Sequence, residues 1–256
     1  MRALRLLGVG FVLHLKMLSK SAFNGALGVV WPLFFATIAF FMFRTGRDAS
    51  TLLYASLGAS VMGIWSATSV AASAALQRER WFGTLELLVA TPRHFALVLL
   101  PITIAMSTVG IYSMVATLVW GRLLFGIPIE VVHPLLFALA VPATILSIGM
   151  LGFLLSVTVV RYRTAWALGN ALEYPVWLVC GFLVPLSFFP GWVRPISWAL
   201  APTWGVRATR EAALGGAPLG DVAMCVALGA AYGICGVLLV QTVLRSARRR
   251  ATLSLT

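Results

Sequence analysis

The clearest candidate for chemistry in this sequence is a carboxylate in a setting that carboxylates rarely occupy. Glu173 lies within AWALGNALEYPVWLVCG, an otherwise apolar block. An ionisable group inside a membrane segment is costly and faces a cavity or a partner. Asn170, about one turn earlier, and the adjacent Tyr174 carry groups that could share its hydrogen bonds. Two readings stay open. Glu173 is a pathway or gating residue, or it belongs to a polar cluster that packs helices or lies nearer the cytoplasmic surface. A proton relay would need further intramembrane acids or histidines in series, and no such chain is visible.

Enzyme chemistry finds little else to work with. His14, His94 and His133 are scattered near the ends of apolar blocks, which argues against a shared metal site. Glu130 and His133 share a short loop between Pro128 and Pro134, a spacing typical of solvated turns. Cys180, Cys225 and Cys235 all fall in apolar blocks; odd in number and without ligand spacing, they read as small core residues. There is no G-x-S-x-G elbow and no acid pair with a supporting histidine. The only lysines, Lys16 and Lys20, do not follow a glycine, so the phosphate-cradling G-x-x-x-x-G-K-[ST] loop is absent. With no P-loop route to ATP, the energy for any uphill movement must come from elsewhere.

The elements that hold these residues are membrane helices. Hydrophobic residues make up 61% of the chain and charged ones 10%, against about 25% charged in soluble domains. Several apolar blocks are long enough to cross about 30 Å of hydrocarbon, and no alternating ten-residue pattern suggests a barrel. The expected class is an all-α, multi-pass membrane protein. The net charge of +12 reflects topology, since cationic residues mark cytoplasmic loops; no large soluble domain offers a nucleic-acid site. The first apolar stretch is interrupted by His14, Lys16 and Lys20, so a cleavable signal peptide is not expected.

Residues 1–21 read as an amphipathic helix lying in the interface. Arg2, Arg5, Lys16 and Lys20 fall within about 60° on a helical wheel; a frayed cytoplasmic tail is the other reading. Residues 22–256 form one transmembrane domain with six expected spans near 22–43, 50–74, 95–121, 134–159, 165–187 and 222–244. An even number places both termini on one side. That side carries Arg2, Arg5, Lys16, Lys20, Arg78, Arg80, Arg93, Arg161, Arg163 and the basic tail at 245–256. The opposite side keeps Arg44, Arg47, Arg122, Arg194, Arg207 and Arg210. The richer side is cytoplasmic by the positive-inside rule.

Three further features stand out. The island QRERWFGTLELLVATP at 77–92 predicts a short cytoplasmic helix over 77–91. Trp81, Phe82, Leu85, Leu88 and Val89 form its apolar face; Glu79, Gly83 and Glu86 form another, and Pro92 stops it. The second span carries small residues every fourth position at Ala55, Ala59, Gly63, Ala67, Ala71 and Ala75. Such a stripe lets helices approach closely, with the partner either within the chain or in a second subunit. Finally, 185–210 is rich in Pro, Trp and Gly, too broken for a span and too apolar for a solvated loop. A re-entrant segment on the outer side fits, with a plain aromatic belt as the alternative.

This order of elements, with the island's R-E-R-x-x-G-T-L-E-x-L-x-x-T-P, resembles the membrane subunit of a type 2 ABC exporter. Arg78, Glu79, Arg80, Gly83, Thr84, Leu85, Glu86, Leu88 and Pro92 meet the motif. The run from Phe189-Pro190 through Pro195, Pro202 and Gly205 to Arg210-Glu211 is similar to the family's outer re-entrant region. The resemblance implies that 77–91 is a coupling helix docking on a separate ATPase subunit, through Arg78, Glu79, Arg80, Gly83, Thr84, Glu86 and Pro92, with a minor second contact at 160–164. It implies no cofactor in this chain, with ATP and Mg on two copies of the partner ATPase. It also implies a homodimer, or a heterodimer with a related permease, with the second and fifth spans lining the seam. The N-terminal helix would slide or tilt with the ATPase.

The expected function is ATP-driven export across the plasma or inner membrane. An apolar bundle with few charges suits a hydrophobic or amphipathic small molecule such as a drug or antibiotic, with lipid-linked glycan or lipid export as the alternative. An integral membrane enzyme would cluster catalytic residues at one face. A secondary transporter would repeat its broken helix in the first half. The sequence shows neither pattern. Glu173, Asn170 and Tyr174 are the candidates for the translocation path, and Ala59, Gly63 and Ala67 for helix packing.

Overall fold

In the computed structural model the described residues are 2–20, 22–43, 49–81, 83, 95–159 and 165–250. Among them the chain is almost wholly helical and has no strand. The helices in chain order are α1 (Arg2–Lys20), α2 (Ala22–Phe43), α3 (Ala49–Trp81), α4 (Ala96–Phe125), α5 (Pro134–Val159), α6 (Ala165–Val179), α7 (Val193–Trp198), α8 (Ala201–Leu214) and α9 (Leu219–Arg250). A 3-10 turn at Leu186–Phe188 lies between α6 and α7. Of these, α4, α5 and α9 are both long and apolar enough to cross a bilayer.

Small and hydroxyl-bearing residues set the packing, as expected where lipid removes any hydrophobic drive between helices. The helix α3 runs antiparallel to α4. A Cβ added at Gly63 would collide with the Ser113 hydroxyl and approach Pro32 of α2, while one at Gly110 would lie 2.7 Å from the Ile64 Cα. The Thr68 and Ser107 hydroxyls pair at 2.9 Å across the same seam, and the Trp120 indole donates to Thr37 of α2 at 2.9 Å. A second seam joins α5 and α9, which run parallel. Here Gly229, Gly233 and Gly236 meet Ser147, Met150 and Phe153, with a Gly236 Cβ 2.5 Å from the Phe153 ring. The Ser147 hydroxyl donates to the Cys225 carbonyl at 2.8 Å.

From Ala55 to Gly63 the small-residue stripe of α3 therefore has its partners within the chain. Ala55 and Ala59 are fully buried, Gly63 is buried against α4 and α2, and Ala67 is half-buried.

Three expectations meet a different geometry. The fifth block does not continue to 187: α6 stops at Val179, after 15 residues, or about 22 Å, short of the hydrocarbon thickness. Gly181, at φ +70°, ends it. The Gly181 N–H donates to Leu178 O and the Phe182 N–H to Trp177 O, a Schellman closure that glycine accommodates without strain. Second, α1 runs beside α4 rather than flat across its end. Gly10 sits against Pro101, and the Ser19 hydroxyl meets that of Tyr112 at 3.4 Å, so the two helices advance in the same direction. Leu6, Val9, Val12, Leu13 and Met17 of α1 remain exposed. Third, the island is not one helix. Its residues 77–81 extend α3, which reaches 33 residues or about 50 Å; Gly83 then turns at φ +67°, a conformation no right-handed helix holds.

Gly63→Val would force apart α3, α4 and α2, at a cost of about 1–3 kcal/mol. Melting of the purified protein in detergent should fall by several degrees, whereas Gly220→Val, with no atom within 4 Å of an added Cβ, should leave it unchanged. Equal melting of the two variants would contradict this packing.

Candidate functional site

The α6 face begins with Glu173. Its side chain is half-buried and lies near the Ser66 hydroxyl of α3, which is buried and makes no hydrogen bond among the described residues. One turn on, Trp177 is buried with its indole N–H unpartnered. The Trp177 ring makes edge contacts with Tyr174 at 4.9 Å and with Phe35 of α2 at 4.7 Å. Asn170 is half-buried, while Tyr174, Ala171, Pro175 and Leu178 are exposed. Glu173 thus lies with Trp177 on the side of α6 that packs inward, and Tyr174 stands at the edge of the exposed side that carries Ala171, Pro175 and Leu178. The hydroxyl beside the acid comes from another helix, a contact that periodicity within α6 could not reveal.

The orientation of this face is set at the broken end of α6. Arg210 of α8 is 5% exposed and reaches across to donate from Nη1 to Gly181 O at 2.8 Å and from Nη2 to Phe182 O at 2.5 Å. Its Nε donates to Tyr54 O of α3 at 3.1 Å, and its Cζ lies 3.5 Å from the Tyr54 ring centroid. A helix that ends inside a protein leaves carbonyls without partners, and a fork of five N–H donors is suited to filling several at once. Gly58 makes room for it, since a Cβ there would collide with Phe182 O and Arg210 Nη2. The sequence reading had grouped Arg210 with the charges of an outer loop. The signal available was an arginine on the apolar side of α8, among Val206, Ala213 and other buried residues.

The rest of 185–210 packs as a broken helical wedge. Gly205 of α8 sits against Thr144 of α5, and Thr203 donates to Ser197 O at 2.7 Å. The Tyr232 hydroxyl of α9 donates to Ala199 O. Arg207 stands over the Trp204 ring at 5.0 Å and pairs with Asp221 at 3.3 Å and Glu211 at 3.9 Å. The loop before α5 closes on the end of α8, with Val132 and His133 N–H groups donating to Ala213 O and Ala212 O.

The island is described in part. Arg78, Glu79 and Arg80 occupy the last turns of α3, and Gly83 forms the exposed turn after it. Thr84, Glu86 and Pro92 lie outside the described residues, as does the 160–164 turn.

These features define a class: a multi-pass helical membrane component with a polar inner face and no nucleotide loop of its own. The chain belongs to the ABC-2 type transporter family, whose profile matches residues 11–214. The match runs from α1 to the end of α8 and so includes the island, Glu173 and Arg210. No curated protein matches the chain. Membership of this family implies partnership with an ABC ATPase subunit.

Arg210→Met would leave the Tyr54, Gly181 and Phe182 carbonyls without donors, a loss of about 2–5 kcal/mol. Reduced yield and a lowered melting temperature are expected, with Arg210→Lys intermediate because one ammonium cannot span all three oxygens. Wild-type melting for Arg210→Met would rule out this role.

Proposed function

We propose that the chain is the transmembrane subunit of an ATP-driven exporter in the plasma or inner membrane. Two permeases, identical or related, form the path, and two separate ATPase subunits bind and hydrolyse ATP with Mg. The observation that carries this reading is the family match together with the missing phosphate loop. A six-span arrangement with cytoplasmic termini and an outer re-entrant segment accommodates the helices. In it, the short α6 and the α7–α8 wedge act together as one outer-capped span.

The coupling role falls to the far end of α3. That helix is longer than the membrane is thick, and Arg78, Glu79 and Arg80 ride on its projecting turns. The turn at Gly83 would swing the remainder of the island away from the α3 axis to meet the ATPase. One rigid helix would then link the docking point, Ser66 beside Glu173, and Tyr54 at the Arg210 cap. With the small face of α3 buried inside the protomer, the exposed side of α6 becomes the better surface for the path and the subunit seam.

A hydrophobic or amphipathic small molecule is the cargo that suits this face. Lipid-linked glycan or lipid is the second reading, supported by exposed Phe188, Trp192 and Trp198 on the outer wedge, where aromatic side chains meet headgroups.

Two substitutions test the coupling. Gly83→Trp introduces bulk where no atom lies within 4 Å of an added Cβ, but at a backbone angle that resists a side chain. Glu86→Lys reverses a charge on the island. Each should cut ATP-dependent export by at least about tenfold and weaken copurification with the ATPase, with membrane insertion unchanged. Normal export and normal copurification in both would contradict the coupling role.

A further inference from the structure

We infer that the C-terminal end of α1 and the middle of α4 form a binding site for an anionic phospholipid. Its headgroup lies on Lys16, Ser19 and Lys20, and its acyl chains lie along α4. The inference goes beyond the export reading and does not depend on which cargo is carried.

The site begins where α1 stops. Gly10 lies against Pro101, and the Ser19 hydroxyl meets that of Tyr112 at 3.4 Å. The last turns of α1 therefore stand beside the middle of α4, a helix of 30 residues that is long and apolar enough to cross a bilayer. Lys16, Ser19 and Lys20 are three and four residues apart, so they are neighbours on the helix surface, and all three are exposed. Two ammonium groups beside the middle of a membrane helix are costly if hydrocarbon surrounds them. The helix α1 packs on α4 and α2, and none of these three helices contains an Asp or Glu. An anion from outside them is what the lysines can recruit. A phosphate accepts from ammonium and hydroxyl donors alike, and the Ser19 and Tyr112 hydroxyls stand next to the lysines. A zwitterionic headgroup would bring its own cation against them.

The face of α4 above this point supplies the lipid part of the site. On the wheel, Tyr112, Val115, Val119 and Leu123 continue the side of α4 that carries Pro101. Pro101 is buried, with Gly10 of α1 against it, whereas these four are exposed. Tyr112 to Leu123 is about 16 Å along the helix, close to half of the ~30 Å of hydrocarbon and so to the length of one leaflet's chains. A small phosphate ion would leave this strip unused. Snorkelling of the lysine stems and local thinning of the leaflet bring a headgroup to this level.

The test uses the full chain, purified in a neutral detergent, and native mass spectrometry with phosphatidylglycerol and phosphatidylcholine of identical acyl chains. The first phosphatidylglycerol should bind at least about tenfold more tightly than phosphatidylcholine. Lys16→Gln combined with Lys20→Gln should abolish that preference. Arg248→Gln combined with Arg249→Gln removes the same charge from the basic tail and should keep it. Glycerol phosphate should not displace the lipid. Location is read on the wild-type chain: phosphatidylglycerol carrying a diazirine on its acyl chain should label α4 between Val115 and Leu123. Equal affinity for the two lipids, an equal loss in both double variants, displacement by glycerol phosphate, or labelling that avoids this stretch would each overturn the site. So would loss of an oligomer in the lysine variant with lipid preference intact, because it would assign the lysines to a contact between copies of the chain.

Discussion

A buried arginine holds this structure in register. Arg210 has no carboxylate among its hydrogen-bond partners; it is satisfied by the Tyr54, Gly181 and Phe182 carbonyls and the face of the Tyr54 ring. A buried charge on these terms is tolerable only if every donor finds an acceptor. The requirement propagates. The helix α6 must end at Gly181 to expose its carbonyls, α3 must carry glycine at 58 to admit the guanidinium, and α8 must be helical to deliver it. The non-helical backbone after α6 is buried at Gly181 and Phe182, with protein around it.

From that point the remaining geometry follows along α3. This helix carries Tyr54 at the cap, Gly63 and Thr68 in the seam with α4, Ser66 beside Glu173, and Arg78 to Trp81 at its far end. The seam is close because glycine meets serine and isoleucine, so α3 and α4 behave as a unit. The α5–α9 seam, built from Gly229, Gly233 and Gly236, makes a second unit, and α8 bridges the two through Arg210 and Gly205.

Much of the plan was legible in the sequence. The start of α5 at Pro134 was legible, because proline breaks the preceding run and suits the first turn of a helix. The small-residue stripe of α3 was visible from its period of four, though periodicity cannot say which helix fills it. The limits have physical causes. A Schellman glycine inside an apolar run, such as Gly181, does not interrupt hydropathy, so the fifth block read as longer than α6. Gly83 fits an amphipathic wheel as readily as it forms a turn, so the island read as one helix. Arg210 lies near other charges in the chain, which hid its place on the apolar side of α8, and tertiary contact shows which carbonyls it serves. The glycines of α9 are spaced four and then three, so they share one helical face, but only the structure shows that α5 fills it.

The family and the missing phosphate loop together make one central claim: this chain forms a path and a separate ATPase drives it. The direct measurement is ATP-dependent flux of an amphipathic probe in proteoliposomes containing the purified chain, its copurifying ATPase, or both. The account predicts vectorial flux only when both are present, with ATP hydrolysis confined to preparations that contain the ATPase. Nucleotide hydrolysis by the chain alone, or equal ATP-dependent flux without the ATPase, would contradict it.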